Sequence, residues 1–250
     1  MQELVSIITA SYNAEKYITE TIKSVQAQTH QNWEMLITDD ASTDNTCKTI
    51  ESFAKTDSRI KLFKLQANAG PATARNISIK EAQGRYLAFL DADDIWFNFH
   101  LNDSINFSKI KNKPFVFASY KRSDEDLNFI YSDFVVPEVI SYSDILKSNS
   151  ISCLTAFIDT KKLGKKYMPL IQKRQDMGLW LKYLKVCRNA YGIQKPHAIY
   201  RIRANSLSRN KLDLIFHQWQ FYRNVEKLNI LQSIYYLICW MYLGYVKYKN

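Results

Sequence analysis

Three carboxylates, Asp91, Asp93 and Asp94, crowd the end of an apolar run in "GRYLAFLDADDIWF", residues 84–97. Like charges beside a buried strand are costly without a counter-ion, so the chemistry this cluster fits is a hard divalent cation. Mg2+ or Mn2+ takes oxygen ligands, needs only one or two protein carboxylates and commonly carries a substrate's phosphates as well. Asp39 follows a second apolar run, "WEMLIT". Asp176 opens a helical pattern in which Met177, Trp180, Leu181 and Leu184 recur at i, i+3, i+4 and i+7. A helix dipole favours the ionised form of a carboxylate placed there, ready to take a hydroxyl proton, though the same stabilisation weakens it as a base.

The elements that must position these acids read as alternating strands and helices, the pattern of a parallel sheet with crossover helices. "LVSIIT" is the first strand, and Asn13 is placed to cap a helix whose Ile18, Ile22 and Val25 face the sheet. "WEMLIT" leads through the cap-rich "DDASTDNT" to a helix marked by Cys47, Ile50 and Phe53, then to strand "IKLFKL". Pro71 suits the next helix start, and Gly84 reads as a left-handed cap before strand "YLAFL". Asp39, Asp91 and Asp93 thus all follow strands, at the edge where open α/β sheets bind ligands. There is neither a Walker loop nor a G-x-G-x-x-G after the first strand, so phosphates would be held by metal rather than by a glycine-rich loop. Strand-like "PFVFASY" and "CLTAFI", and a helix opening near Ser141 or Ser143, continue the chain.

In order, "VSIITASYN", "LITDDASTDNT", "NAGPATARN", "GRYLAFLDADD", "KRQDMGLWLKYL" and "YRIRANSLSRNK" resemble glycosyltransferase family 2. The resemblance implies an α/β GT-A fold, a Rossmann-like, mixed but mainly parallel sheet flanked by helices, with a C-terminal helical extension. It implies a nucleotide-binding half over 1–95, an acceptor half over 96–210 and an aromatic helical segment over 211–250. It further implies a nucleotide-sugar donor, most often a UDP-sugar, and Mn2+ or Mg2+. Asp39 would accept from the base, with Tyr12 and the backbone of Ala10 lining its pocket. Asp91 and Asp93 would form a DxD motif, Asp91 facing ribose or metal and Asp93 ligating the cation. Arg75 would lie close to the nucleotide. Asp176 would be the general base of an inverting displacement, while Arg201 and Arg203 offset diphosphate charge from a closing loop. Two departures stand out: "TASYN" replaces a proline-containing "PTYN", and Gln175 replaces a neighbouring acid. His197, in a strand-like run, reads as a packed residue more than as a metal ligand.

The net charge of +10 calls for an anionic partner. Basic residues are dispersed and no nucleic-acid motif is present, which leaves an anionic membrane surface or a phosphorylated small molecule and argues against nucleic acid. Cys47, Cys153, Cys187 and Cys239 have no metal-ligand or disulfide-framework spacing, and no basic n-region precedes the first apolar stretch. A cytoplasmic location follows as the expectation. From Leu212 the pattern is helical, and "ILQSIYYLICWMYLGYVKYKN" suits a helix lying in a membrane interface, with a packed closing helix as the competing reading. The analogy extends to a lipid-linked or polymeric glycan acceptor in bacterial surface polysaccharide synthesis. An inactive sugar-nucleotide-binding or scaffold protein of the same fold is the alternative; Gln175 favours it and the intact Asp176 argues against it. A nucleotidyltransferase would usually show a glycine-rich basic loop after its first strand, which "TASYNAEKY" is not.

Overall fold

The computed structural model describes residues 3–203 and 211–247, with side chains over 3–203 and 214–244. The first half repeats strand and helix: β1 (Val5–Ser11), α1 (Ile18–Gln26), β2 (Trp33–Asp39), α2 (Thr46–Thr56), β3 (Ile60–Lys64), α3 (Pro71–Glu81) and β4 (Tyr86–Phe89). The second half is less regular: β5 (Ile95–Trp96), α4 (His100–Ile110), β6 (Phe115–Ser123), β7 (Tyr131–Phe134), β8 (Val139–Ser141) and α5 (Tyr142–Lys147). It continues through β9 (Phe157–Asp159), α6 (Thr160–Leu163), α7 (Gln175–Cys187), β10 (Asn189–Arg201), α8 (Lys211–Gln220) and α9 (Ile230–Lys247). The strands form one sheet in the order β3-β2-β1-β4-β9-β6-β10-β5, with β7 on β6 and β8 on β10. Pairing is parallel from β3 to β4 and again between β6 and β10, whereas β9 runs antiparallel to both of its neighbours.

Alternation along the central strands sends side chains into two cores, one on each face of the sheet. Ile8, Leu36, Leu87 and Phe89 meet Trp180 and Tyr183 of α7 on one face, while Ile7, Met35, Tyr86 and Ala88 meet Ile18 and Ile22 of α1 on the other. Burial on both faces is why these strands read as near-continuous apolar runs. Ser141 caps α5 in a reciprocal box with Asp144, within the predicted start.

Three local expectations are corrected. Asn13 does not cap α1, which begins at Ile18; with φ at 47°, its Oδ1 accepts from the Thr43 N–H at 2.9 Å and ties the loop after β1 to the loop after β2. Gly84 is not a left-handed cap, since Gly70 and Gly164 are the glycines with positive φ. Instead a Cβ at Gly84 would lie 2.6 Å from the backbone nitrogen of Ser6, so only glycine lets β4 enter this close to β1. "CLTAFI" is not one strand: Ser152 Oγ accepts from Leu154 N–H and turns Cys153–Thr155 into a 3-10 turn before β9.

At the C-terminal side, α8 runs into a π-helical turn, Phe221–Val225, whose buried Phe221 and Tyr222 anchor it to the body. The Tyr222 hydroxyl donates to the Leu146 carbonyl at 2.5 Å. In α9, Tyr236 and Leu237 pack on the core, and Trp240 lies under the Arg174 guanidinium, 5.2 Å from the ring centroid. Leu231, Ile234, Tyr235, Ile238 and Tyr242 are exposed along the same helix. Among the described residues, no helix is long and apolar enough to cross a membrane.

Candidate active site

Adjacent strands bring the first acids together, because β2, β1 and β4 are neighbours and parallel. Asp39 ends β2 and is buried; it accepts from the Ser42 N–H (2.8 Å), the Ser42 hydroxyl (2.6 Å) and the Ser11 hydroxyl (2.9 Å). The Cys47 thiol also bonds this carboxylate; burial, together with the charge of Asp39, pushes the Cys47 pKa up to about 11, so Asp39 is held by donors from three directions. Ala10 stands in register with Thr38 one step before the strand end, and Tyr12, just beyond it, is half exposed. Asp40 serves the backbone instead, its two oxygens accepting from the Ala69 N–H at 2.7 Å and the Gly70 N–H at 2.9 Å, which fixes the loop ahead of α3.

The acid cluster follows β4. Asp91 forms an ion pair with Arg75 of α3, and Asp93 accepts from Arg203 Nε at 2.8 Å. Burial and the nearby Asp91 raise the pKa of Asp93, with Arg203 opposing. Asp94 is buried; Oδ1 accepts from the Arg201 N–H at 2.8 Å, whereas Oδ2 is buried without a partner. Burial, then Asp93 and Asp91, push its pKa well above the usual carboxylate range. Oxygen donors whose mutual repulsion raises their pKa values suit a hard cation. Among the described residues, no three or more His, Cys, Asp or Glu side chains converge as a metal cage. Asp91 and Asp93 are oxygen donors of the type that Mg2+ or Mn2+ accepts, and they would need substrate phosphates or water to complete a shell.

Asp176 sits in the first turn of α7, whose N-cap Arg174 is left-handed, and its Oδ2 accepts from the Asn149 amide at 3.1 Å. Burial raises its pKa, while the Met177 N–H, Arg174 and Arg75 oppose and Asp91 adds to the rise. The balance is the reverse of what the helix dipole alone predicts, because desolvation outweighs it. Arg75 feels Cys153, Asp91 and Asp176 at once; they raise its pKa although burial works against its charge. It thus stands between the cluster after β4 and the start of α7. Neither Asn149 nor the buried thiol of Cys153 carries a sequence signal that would have placed it here.

The Arg201 side chain acts on the acid cluster through its charge, which opposes the rise in the pKa values of Asp93 and Asp94, and its hydrogen bonds go elsewhere. Its guanidinium pairs with Glu20, donates to the Glu125 carbonyl at 3.0 Å and lies over the Tyr17 ring, while its backbone N–H donates to Asp94. The rest of the predicted closing loop, 204–210, lies outside the described residues. His197 is a packed residue, as its strand context predicts: its Nδ1 is 3.2 Å from that of His100, both rings are buried, and Asp103 lies 3.8 Å from Nε2. Beside Gln175 opens a cavity of about 840 Å3, walled by Gly70 and Pro71 on one side and by Phe216, Gln220 and Asn224 on the other.

Comparison with known proteins agrees with this architecture. The sequence profile described as Glycosyl transferase family 2 matches residues 6–158. TuaG of Bacillus subtilis (strain 168), named for teichuronic acid biosynthesis, is 40% identical over 98% of this chain and 95% of its own length. WfgD of Escherichia coli, named a UDP-Glc:alpha-D-GlcNAc-diphosphoundecaprenol beta-1,3-glucosyltransferase, is 39% identical over 99% of this chain and 97% of its own. Among solved structures, S. aureus TarS 1-349 in complex with UDP-GlcNAc superposes with a TM-score of 0.72 at 21% identity, over 96% of this chain and 72% of TarS. The shared architecture is the GT-A fold.

Proposed function

Since the chain belongs to glycosyltransferase family 2, we propose that it transfers a sugar from a UDP-sugar to a hydroxyl of a lipid-linked or polymeric glycan, with inversion, during bacterial surface polysaccharide synthesis. UDP-glucose and a GlcNAc-diphospholipid are the first pair to try, by analogy with WfgD's name. The observation that carries the reading is that Asp91 is ion-paired with Arg75, whose charge also feels Asp176 from the other half of the chain. Donor-side and acceptor-side chemistry can then be joined at one carbon.

Asp39 accepts from the base, which displaces one of the donors now on its carboxylate, beside Tyr12 and the backbone of Ala10. Asp91 and Asp93 would hold Mn2+ or Mg2+, which when bound offsets the charge of the departing diphosphate. Asp176 takes the proton of the acceptor hydroxyl as that oxygen bonds to the anomeric carbon; the bond to phosphate breaks and its electron pair leaves with UDP. Its raised pKa makes it a stronger base than a solvated aspartate, and the Asn149 amide orients it. Arg75 and Arg203 keep positive charge next to the diphosphate.

The net charge of +10 and the exposed apolar residues of α9 support peripheral attachment to the cytoplasmic face of an anionic membrane, where a lipid-linked acceptor would lie. The test is UDP release from a panel of UDP-, GDP- and TDP-sugars with Mn2+, Mg2+ or EDTA. Metal-dependent release from one donor should fall about a hundredfold or more in Asp93→Ala and Asp176→Asn, the latter measured with acceptor. Binding to no donor would refute the proposal.

A further inference from the structure

We infer that the cavity between α3, α7 and α8 is the acceptor-sugar subsite, and that the C-terminal segment, through Phe216, Gln220 and Asn224, supplies its specificity. This rests on the transferase reading above. The cavity reaches α7 at Gln175, in the first helical turn that also carries Asp176. Its volume of about 840 Å3 is of ligand-pocket size.

The lining chemistry, with Lys173 and His217 beside several amides, fits a sugar rather than a carboxylate metal site. Of the described lining residues none is Asp or Glu, in contrast to the donor side, where acids dominate. Gln172, Gln175, Gln220 and Asn224 offer amides, which can donate to and accept from hydroxyls at once. Phe216, exposed on α8, offers a ring face for the apolar C–H side of a pyranose. Phe216, Gln220 and Asn224 stand four residues apart and are all exposed, so they share one helical face without having a folding role to explain them. That face passes into the π-helical turn Phe221–Val225, a rare conformation that occurs frequently at functional sites. The opposite wall is set from the donor side: Asp40, next to Asp39, holds the N–H groups of Ala69 and Gly70. Gly70 at φ 86° makes that wall possible.

The experiment compares transfer to a synthetic GlcNAc-diphospholipid with acceptor-free donor hydrolysis, both read as UDP release by the full chain. In Gln220→Ala/Asn224→Ala the ratio of transfer to hydrolysis should fall about tenfold, through the acceptor KM, as expected for losing one or two hydrogen bonds. Asn224→Trp, which fills the cavity from an exposed position, should lower the ratio further. An unchanged ratio, whether both rates persist or both fall together, overturns the assignment. If the unsubstituted chain hydrolyses no donor and transfers nothing, the transferase reading fails first and the subsite with it.

Discussion

Acidification from pH 7 to pH 5 should destabilise this protein through the buried His100–His197 pair. Both rings are fully buried, each Nε2 lacks a hydrogen-bond partner, and their Nδ1 atoms lie 3.2 Å apart, an arrangement that needs one ring to donate and the other to accept. Burial holds the pKa of His197 at about 4, with Asp103 opposing and Lys195 adding to the fall; burial and His197 lower that of His100 as well. A depressed histidine pKa means that between about pH 6.5 and pH 4 the unfolded chain binds more protons than the folded one, so stability falls as pH falls. For His197 alone, linkage from an unfolded value near 6.5 gives a loss of about 2 kcal/mol between pH 7 and pH 5. Urea unfolding at both pH values measures it. Carboxylates with depressed pKa values, such as Asp57 at about 2, lose their contribution at lower pH. The raised acids Asp93, Asp94 and Asp176 act with the opposite sign, equally with and without the His197 substitution. His197→Asn should therefore show a smaller difference between the two pH values by about 2 kcal/mol. The same difference in both proteins would refute the reasoning.

Gly84→Ala should cost about 1–3 kcal/mol or more in chemical denaturation, because the new methyl meets backbone at Ser6 and Leu4 rather than a movable side chain. A loss below about 0.5 kcal/mol would mean that β1 and β4 can separate freely. Replacing Leu231, Ile234 and Ile238 together by Gln should weaken cosedimentation with anionic vesicles by about a hundredfold or more, since each side chain contributes about 1.5–3 kcal/mol when buried in lipid. Undiminished binding would remove α9 from the membrane contact.

The acids after β2 and β4 were legible because the strands before them are buried on both faces and so end abruptly in sequence. Leu36 and Ile37 turn to opposite cores, yet both must be apolar, and Asp39 marks where that demand stops. Asn13 and Gly84 misled for a shared reason: each residue type has several uses, and which one applies depends on a loop or strand far away in the chain. Arg201 shows the same limit, as nothing in "YRIR" names Glu20 as its partner. The direction of the Asp176 shift depends on desolvation, which spacing cannot reveal. The second half of the chain reads poorly because β6, β9 and β10 pair across long stretches of chain, with register shifts near Pro196. The cavity wall is hidden altogether, since Phe216, Gln220 and Asn224 look like any exposed helical face until α3 is set opposite them.

The position of β3 at the end of the sheet has a consequence for keeping the protein dispersed. Its outer edge presents unpaired backbone groups on which another chain could grow a further strand. Two of its five residues are lysines, Lys61 salt-bridged to Glu34 at 3.0 Å and Lys64 to Glu51, so the charges are tied in place beside that edge. A second β3 approaching edge to edge would bring lysines against lysines. Gatekeeping of this kind costs little in the folded molecule and matters most when the protein is concentrated.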